Sequence, residues 1–174
     1  FNVRNERGVF GVDLRYVSHR MIKGKYAIPG LPAVYEEEEK AFTLEVCLAD
    51  PVMGVEVTLR YGILENLDVI TRCAVIKNTG KGTVFITKVY SAVLDFLGGD
   101  FDLLHFQGRH TMERNLERIP VIHGSQTFGS LRGTSSHQHN PFCILADRET
   151  TEDFGGCYGM CLSLIHISEP TRRT

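Results

Sequence analysis

Apolar and polar side chains alternate with a period of two along most of this 174-residue chain. In Val55–Ile63 the residues Val55, Val57, Leu59, Tyr61 and Ile63 share one face, while Glu56, Thr58 and Arg60 take the other. Neighbouring residues of a strand point to opposite faces, so the segment reads as a half-buried strand with one solvated side. Val69–Ile76 follows a turn-like Glu65-Asn66-Leu67-Asp68 and is apolar on both faces apart from Arg72, which places it deeper in a sheet. Asn78-Thr79-Gly80-Lys81-Gly82 signals a hairpin, because glycine tolerates the positive φ of tight turns. Thr83–Leu97 is then a long run rich in Val, Ile, Phe and Tyr, and these three segments are expected to be central strands. Shorter strands are predicted at Gly8–Tyr16, Phe42–Leu48, Leu103–Gln107, Gln126–Leu131, Phe142–Ala146 and Cys157–Cys161. The best helical candidate, Arg109–Glu117, has charges but no apolar stripe. Many strands separated by turn residues predict an all-β fold, a large antiparallel β-sandwich.

The length suits one domain, with a core large enough to stand without disulfides or metals. No repeat or low-complexity linker marks an internal boundary. The net charge of −2, with both signs interspersed, gives no electrostatic case for a nucleic-acid or anionic-membrane partner. No apolar run has the length of a bilayer span, and no N-terminal segment reads as a signal peptide, although the chain opens at Phe1 without a start methionine. Five cysteines, Cys47, Cys73, Cys143, Cys157 and Cys161, are odd in number and irregular in spacing. They read as reduced, buried thiols of a cytoplasmic protein rather than a disulfide framework, with Cys157–Cys161 the minor pairing alternative. The acidic Glu36–Glu39 reads as a solvated turn or edge that resists sheet-to-sheet aggregation.

The densest polar stretch is Ser130-Leu131-Arg132-Gly133-Thr134-Ser135-Ser136-His137-Gln138-His139-Asn140-Pro141-Phe142. His137 and His139 would share a strand face, as metal ligands do, but no further ligand stands at a convincing spacing. The favoured reading is a hydrogen-bonded loop leading into the Phe142 strand. Ser135 or Ser136 as a nucleophile beside His137 is weaker, because a nucleophile-elbow pattern is absent. Asp95, Asp100 and Asp102 around Gly98-Gly99 read as turn formers rather than glycosidase carboxylates. The residues alone therefore yield a β-sandwich with no self-contained active site, no metal site and no cofactor motif.

A resemblance adds to this. Ala27-Ile28-Pro29-Gly30-Leu31-Pro32-Ala33-Val34-Tyr35, Val57-Thr58-Leu59-Arg60-Tyr61, Asp68-Val69-Ile70-Thr71-Arg72 and Asp102-Leu103-Leu104 come in order, followed by Gly108-Arg109-His110 with Glu113-Arg114. The run Gly129–Phe142 and then Thr150-Thr151-Glu152, Gly155 and Tyr158-Gly159 complete the series. Together they resemble the family 36 glycoside hydrolases, the bacterial α-galactosidases, over about residues 8–161. The resemblance implies the N-terminal supersandwich domain of a retaining enzyme, truncated at both ends. Such an enzyme removes terminal α-D-galactosyl residues from sugars such as melibiose and raffinose, with two catalytic aspartates on a barrel absent from this chain. No catalytic residue is assigned here. The resemblance further implies a homo-oligomer in which this domain reaches a neighbour's sugar pocket, and it points to His110, with Arg109, as substrate-binding residues. His110 stands where some members carry a tryptophan, and it offers a smaller stacking face.

The domain is expected to span 1–161. Residues 162–174 look like the translation of a sequencing adapter, a laboratory scar outside the native fold. The competing class is a free-standing carbohydrate-binding or structural β-sandwich module. The chain has no Trp, which counts against an aromatic sugar platform of that kind.

Overall fold

The computed structural model describes residues 1–28, 40–90, 92–129 and 138–162. Among them are ten strands and no α-helix, and every pairing is antiparallel, as the sequence pattern predicts. The acidic Glu36–Glu39 and the stretch Ser130–His137 lie outside the described residues. The chain divides into two compact units, Phe1–Asp95 and Phe96–Thr174.

The first unit holds a four-stranded sheet in the order β2-β3-β4-β5, formed by Arg15–Lys23, Ala41–Asp50, Val55–Leu64 and Val69–Asn78. It also holds a two-stranded sheet of β1 (Asn2–Asn5) and β6 (Val84–Lys88). The β3–β4 pair is a ten-residue ladder from Ala41↔Leu64 to Asp50↔Val55 with no slip. Its tight connection is organised by Asp50, which is only 4% exposed. One carboxylate oxygen accepts from the Val52 and Met53 N–H groups at 2.8 and 3.0 Å, and the other from the Asp13 N–H at 2.8 Å.

Several expectations need correction here. Val69–Ile76 is an edge strand, not a central one, and Ile70 is 69% exposed. The reason lies in the turn after it. Asn78 donates to the Gly82 carbonyl, and the Thr79 and Gly80 N–H groups both bond the Gly54 carbonyl. Those bonds hand the chain to another sheet, so β6 pairs with β1 instead of folding back on β5. A Cβ on Gly54 would stand 2.7 Å from the Gly80 Cα, so the close approach needs glycine there. The long strand expected over Thr83–Leu97 ends at Lys88, and the described residues after it up to Phe101 form no strand. The strand expected at Gly8–Tyr16 is reduced to a bridge of Phe10 with Arg4, and β2 begins only at Arg15.

The polar face of β4 keeps Glu56, Thr58 and Arg60 partly exposed, but the same face is covered toward its end. Tyr26 donates its N–H to the Thr43 hydroxyl, which in turn donates to the Gly24 carbonyl. This strap crosses the sheet above Gly62, where a Cβ would meet Tyr26 at 3.2 Å and Thr71 at 2.5 Å. Thr43, Gly62 and Leu64 are therefore buried. Farther along the same face, Glu45 is 7% exposed and lies between Arg20 and Arg60, at 2.6 and 2.7 Å. Burial pushes its carboxyl up, but the two guanidinium groups outweigh burial and hold it below the usual range.

The second unit is a four-stranded sheet in the order β10-β9-β7-β8, formed by Cys157–Cys161, His139–Asp147, Phe101–Arg109 and Met112–Pro120. The segment weighed as a helix, Arg109–Glu117, lies largely in β8. Residues 126–129 of the strand expected at Gln126–Leu131 are not extended into a sheet. Asp102 is not a turn former. It is buried in β7, with Arg118 Nε 2.6 Å from its carboxylate. The same guanidinium donates to the Asp147, Arg148 and Thr150 carbonyls and clasps the loop after β9. All five cysteines are free, but none is fully buried, and Cys157 and Cys161 are exposed because β10 is an edge. Leu162 donates to the Pro141 carbonyl, and the rest of the expected tail lies outside the described residues.

Asp50 supplies a test of this fold. The Met53 and Asp13 N–H groups lead the interactions that hold its carboxyl below the ordinary range. Its contribution is therefore fully present above the unfolded pKa of about 3.9 and disappears as pH falls through the lower folded value. Asp50→Ala is expected to cost about 1–3 kcal/mol at neutral pH, read from urea melts, and to flatten the acid limb of the stability profile. An unchanged acid limb would remove Asp50 from this role.

Candidate functional site

Arg109 and His110 sit at the tip of the β7–β8 hairpin, and both are exposed. Arg109 pairs with Met112 across a two-residue loop of His110 and Thr111. Thr111 has φ of 69°, a conformation that costs a β-branched residue free energy. Arg109 Nη2 reaches Met112 Sδ at 3.3 Å, and the Thr111 N–H donates to Glu113 Oε1 at 2.9 Å. Asn115 Nδ2 donates to the Met112 carbonyl, closing the turn from the other side.

The strand behind the tip is irregular on both flanks. The β7–β8 register slips between Gln107 and Arg109, with Arg114 at φ 61° on the bulged strand. The β7–β9 register slips between His105 and Gln107. Bulges of this kind re-aim side chains at the ends of sheets. Gly108 lies at the crossing point. A Cβ there would stand 2.3 Å from the Met112 carbonyl oxygen and 2.8 Å from the Glu113 Cα.

Below the tip is a polar cluster that sequence reasoning missed. His105 is 5% exposed, with Nε2 3.2 Å from Glu117 Oε2. Gln107 donates its amide to the other oxygen of Glu117. Phe128 stacks on the His105 ring at 5.1 Å, and the His139 ring centre is 6.4 Å away. The available signal was the spacing of His105 and Gln107, two apart on a predicted strand. Glu117 was hidden in the segment weighed as a helix. His137 lies outside the described residues, so the His137–His139 pair is not seen together. Among the described residues no three His, Cys, Asp or Glu side chains converge as metal ligands do.

Cys143 stands opposite His105 in the ladder and so suggests a Cys–His pair. Burial pushes its thiol up, with the Cys161 side chain adding to the shift. A neutral thiol is a poor nucleophile, so the pair is not an activated one. The buried carboxylates are likewise committed to internal partners: Asp102 to Arg118, Glu45 to Arg20 and Arg60, and Asp50 to backbone N–H groups. Geometry thus gives no activated catalytic pair among these groups, and the tip is the candidate that the resemblance implies.

Comparison with known proteins gives this geometry a context. The profile described as the glycosyl hydrolase family 36 N-terminal domain matches residues 1–163. The bifunctional α-galactosidase/sucrose kinase AgaSK of Mediterraneibacter gnavus is 56% identical over 159 residues, which are 91% of this chain and 17% of that protein. The α-galactosidase AgaA of Geobacillus stearothermophilus is 42% identical over 160 residues, 91% of this chain and 22% of its own length. The chain thus spans about a fifth of the length of the curated relatives it matches. Among solved structures, the galactosidase domain of AgaSK superimposes with a TM-score of 0.86 at 56% identity, covering 91% of this chain and 22% of that one. A variant of AgaA in complex with raffinose gives 0.88 at 43% identity with the same coverage.

Gly108→Ala tests the tip geometry directly. The methyl has no room against the β8 backbone, so the hairpin must shift, at a cost of about 1–3 kcal/mol. A lowered melting temperature, with amide exchange accelerated first in Gln107–Asn115, is the expected result. A variant as stable as the parent would show that the two strands do not approach this closely.

Proposed function

Because the chain belongs to glycosyl hydrolase family 36 as its N-terminal domain, we propose that it is the non-catalytic β-sandwich portion of a retaining α-galactosidase. The substrates of the complete enzyme are oligosaccharides ending in α-D-galactose, such as raffinose and melibiose. The observation that carries this reading is the match over 91% of the chain to the α-galactosidases of two bacteria, combined with buried carboxylates (Glu45, Asp50 and Asp102) that are committed to internal partners. Retaining hydrolysis needs two carboxyl groups flanking the glycosidic bond, and they belong to the barrel in this reading.

The role left to this domain is assembly and completion of a sugar pocket. Arg109 and His110 project from the hairpin tip, exposed and on a constrained turn, and are assigned to contact the substrate at a neighbouring subunit of a homo-oligomer. An imidazole and a guanidinium offer hydrogen-bond donors to sugar hydroxyls, and both present planar faces to a pyranose ring. Free cysteines on exposed and half-buried positions fit a reducing, cytoplasmic bacterial setting. The segment 162–174 is taken as foreign to the domain, with its first two residues still inside the family match, which ends at residue 163.

A chimera tests the proposal: residues 1–161 replace the matching N-terminal segment of the Mediterraneibacter gnavus enzyme. The 174-residue chain alone is expected not to hydrolyse a chromogenic α-galactoside, while the chimera is expected to be active. In the chimera, His110→Ala should lower kcat/KM about tenfold, the size of one lost polar contact to substrate. Hydrolysis by the isolated chain would overturn the non-catalytic reading. Unchanged kinetics of the His110→Ala chimera would overturn the pocket role.

A further inference from the structure

We infer that Glu117 is a positioning residue for the β7–β8 tip, holding Arg109 and His110 in place through His105 and Gln107; its kinetic consequence rests on the pocket role proposed above. Glu117 stands directly across the ladder from His105 and uses both carboxylate oxygens on β7, one toward His105 Nε2 at 3.2 Å and the other toward the Gln107 amide. Gln107 is the last residue of β7 in regular register with β8 before the slip. Beyond it one rung remains, Arg109 with Met112, offset by the bulge, so the side-chain clamp braces the last regular rung below the tip.

Three further features make the clamp rigid. His105 is buried and cannot swing away, because Phe128 stacks on it with an interplanar angle of 7°. The Gly108 N–H is tied to the Gln138 carbonyl at 3.2 Å, on the side away from β8. Thr111 and Arg114 both hold positive φ, and residues other than glycine persist there only where their surroundings over-determine them. Arg118, the next residue along β8, does a different job. Its guanidinium is taken by Asp102 and by three carbonyls of the loop after β9, so it anchors the opposite face. Glu117 thus braces the tip from below through β7, while Glu113 of the same strand bonds the tip itself at the Thr111 N–H.

Two measurements test this. In the 174-residue chain, Glu117→Ala should speed amide exchange of His110–Asn115 by about tenfold, while the β3–β4 ladder exchanges as before. Glu117→Gln, which keeps one acceptor oxygen, should fall between the two. In the chimera, Glu117→Ala should raise KM severalfold with kcat nearly unchanged, and adding it to the double variant Arg109→Ala/His110→Ala should bring no further loss, because Glu117 acts through those two residues. Unaltered tip exchange overturns the inference, and so does a further loss when Glu117→Ala is added to Arg109→Ala/His110→Ala. Should His110→Ala alone leave KM unchanged, the pocket role fails, and the exchange result still decides the positioning role.

Discussion

The second unit depends on β7 being hydrogen-bonded along both edges, to β8 and to β9. With both neighbours in place, the period of two leaves each β7 side chain one permitted face. Asp102 falls on the side of Arg118, and His105 and Gln107 fall on the side of Glu117. The Asp102 carboxylate and the His105 Nε2 thereby each meet a partner from β8, which offsets part of their desolvation cost. Both ladders slip near the same end of β7, and that coincidence turns a regular hairpin into a shaped one. Gly108 allows the crossing, and Thr111 and Arg114 absorb the change of direction.

The first unit solves a related problem with charge. Burying a carboxylate is costly, and one opposing charge often fails to offset the loss of water. Glu45 has two guanidinium groups, and Asp50 has three N–H donors, so neither stands as an isolated charge. These groups tie β2 to β4 through β3 and lock the start of the β3–β4 connection. Such carboxylates are unavailable for proton transfer to a substrate.

The edges of the sheets leave part of the backbone unpaired. β5 is ten residues long with Ile70 largely exposed, and its outer side has no strand partner among the described residues. The chain spans about a fifth of the length of its relatives. The hairpin tip is exposed as well. Arg109 and His110 extend beyond the last regular rung of the β7–β8 ladder, on a turn where Thr111 holds a positive φ.

The sequence by itself determined the class. Period-two alternation in Val55–Ile63 and Phe42–Leu48, the turn at Glu65–Asp68 and the edges of Cys157–Cys161 were legible because strand geometry is local. The ordered motifs also carried the family. Only the tertiary structure decided which strands pair. The glycines after Asn78 looked like a hairpin, yet the Gly54 contact sends β6 to β1, and nothing within five residues can signal a partner more than twenty residues away. β8 stayed hidden because charged side chains on an exposed edge strand need no apolar rhythm. The site divides in the same way. His110 and Arg109 could be named from motif order. Glu117 became visible only when antiparallel pairing placed it opposite His105, because a cross-strand contact is fixed by register, and register is a property of two segments rather than of one.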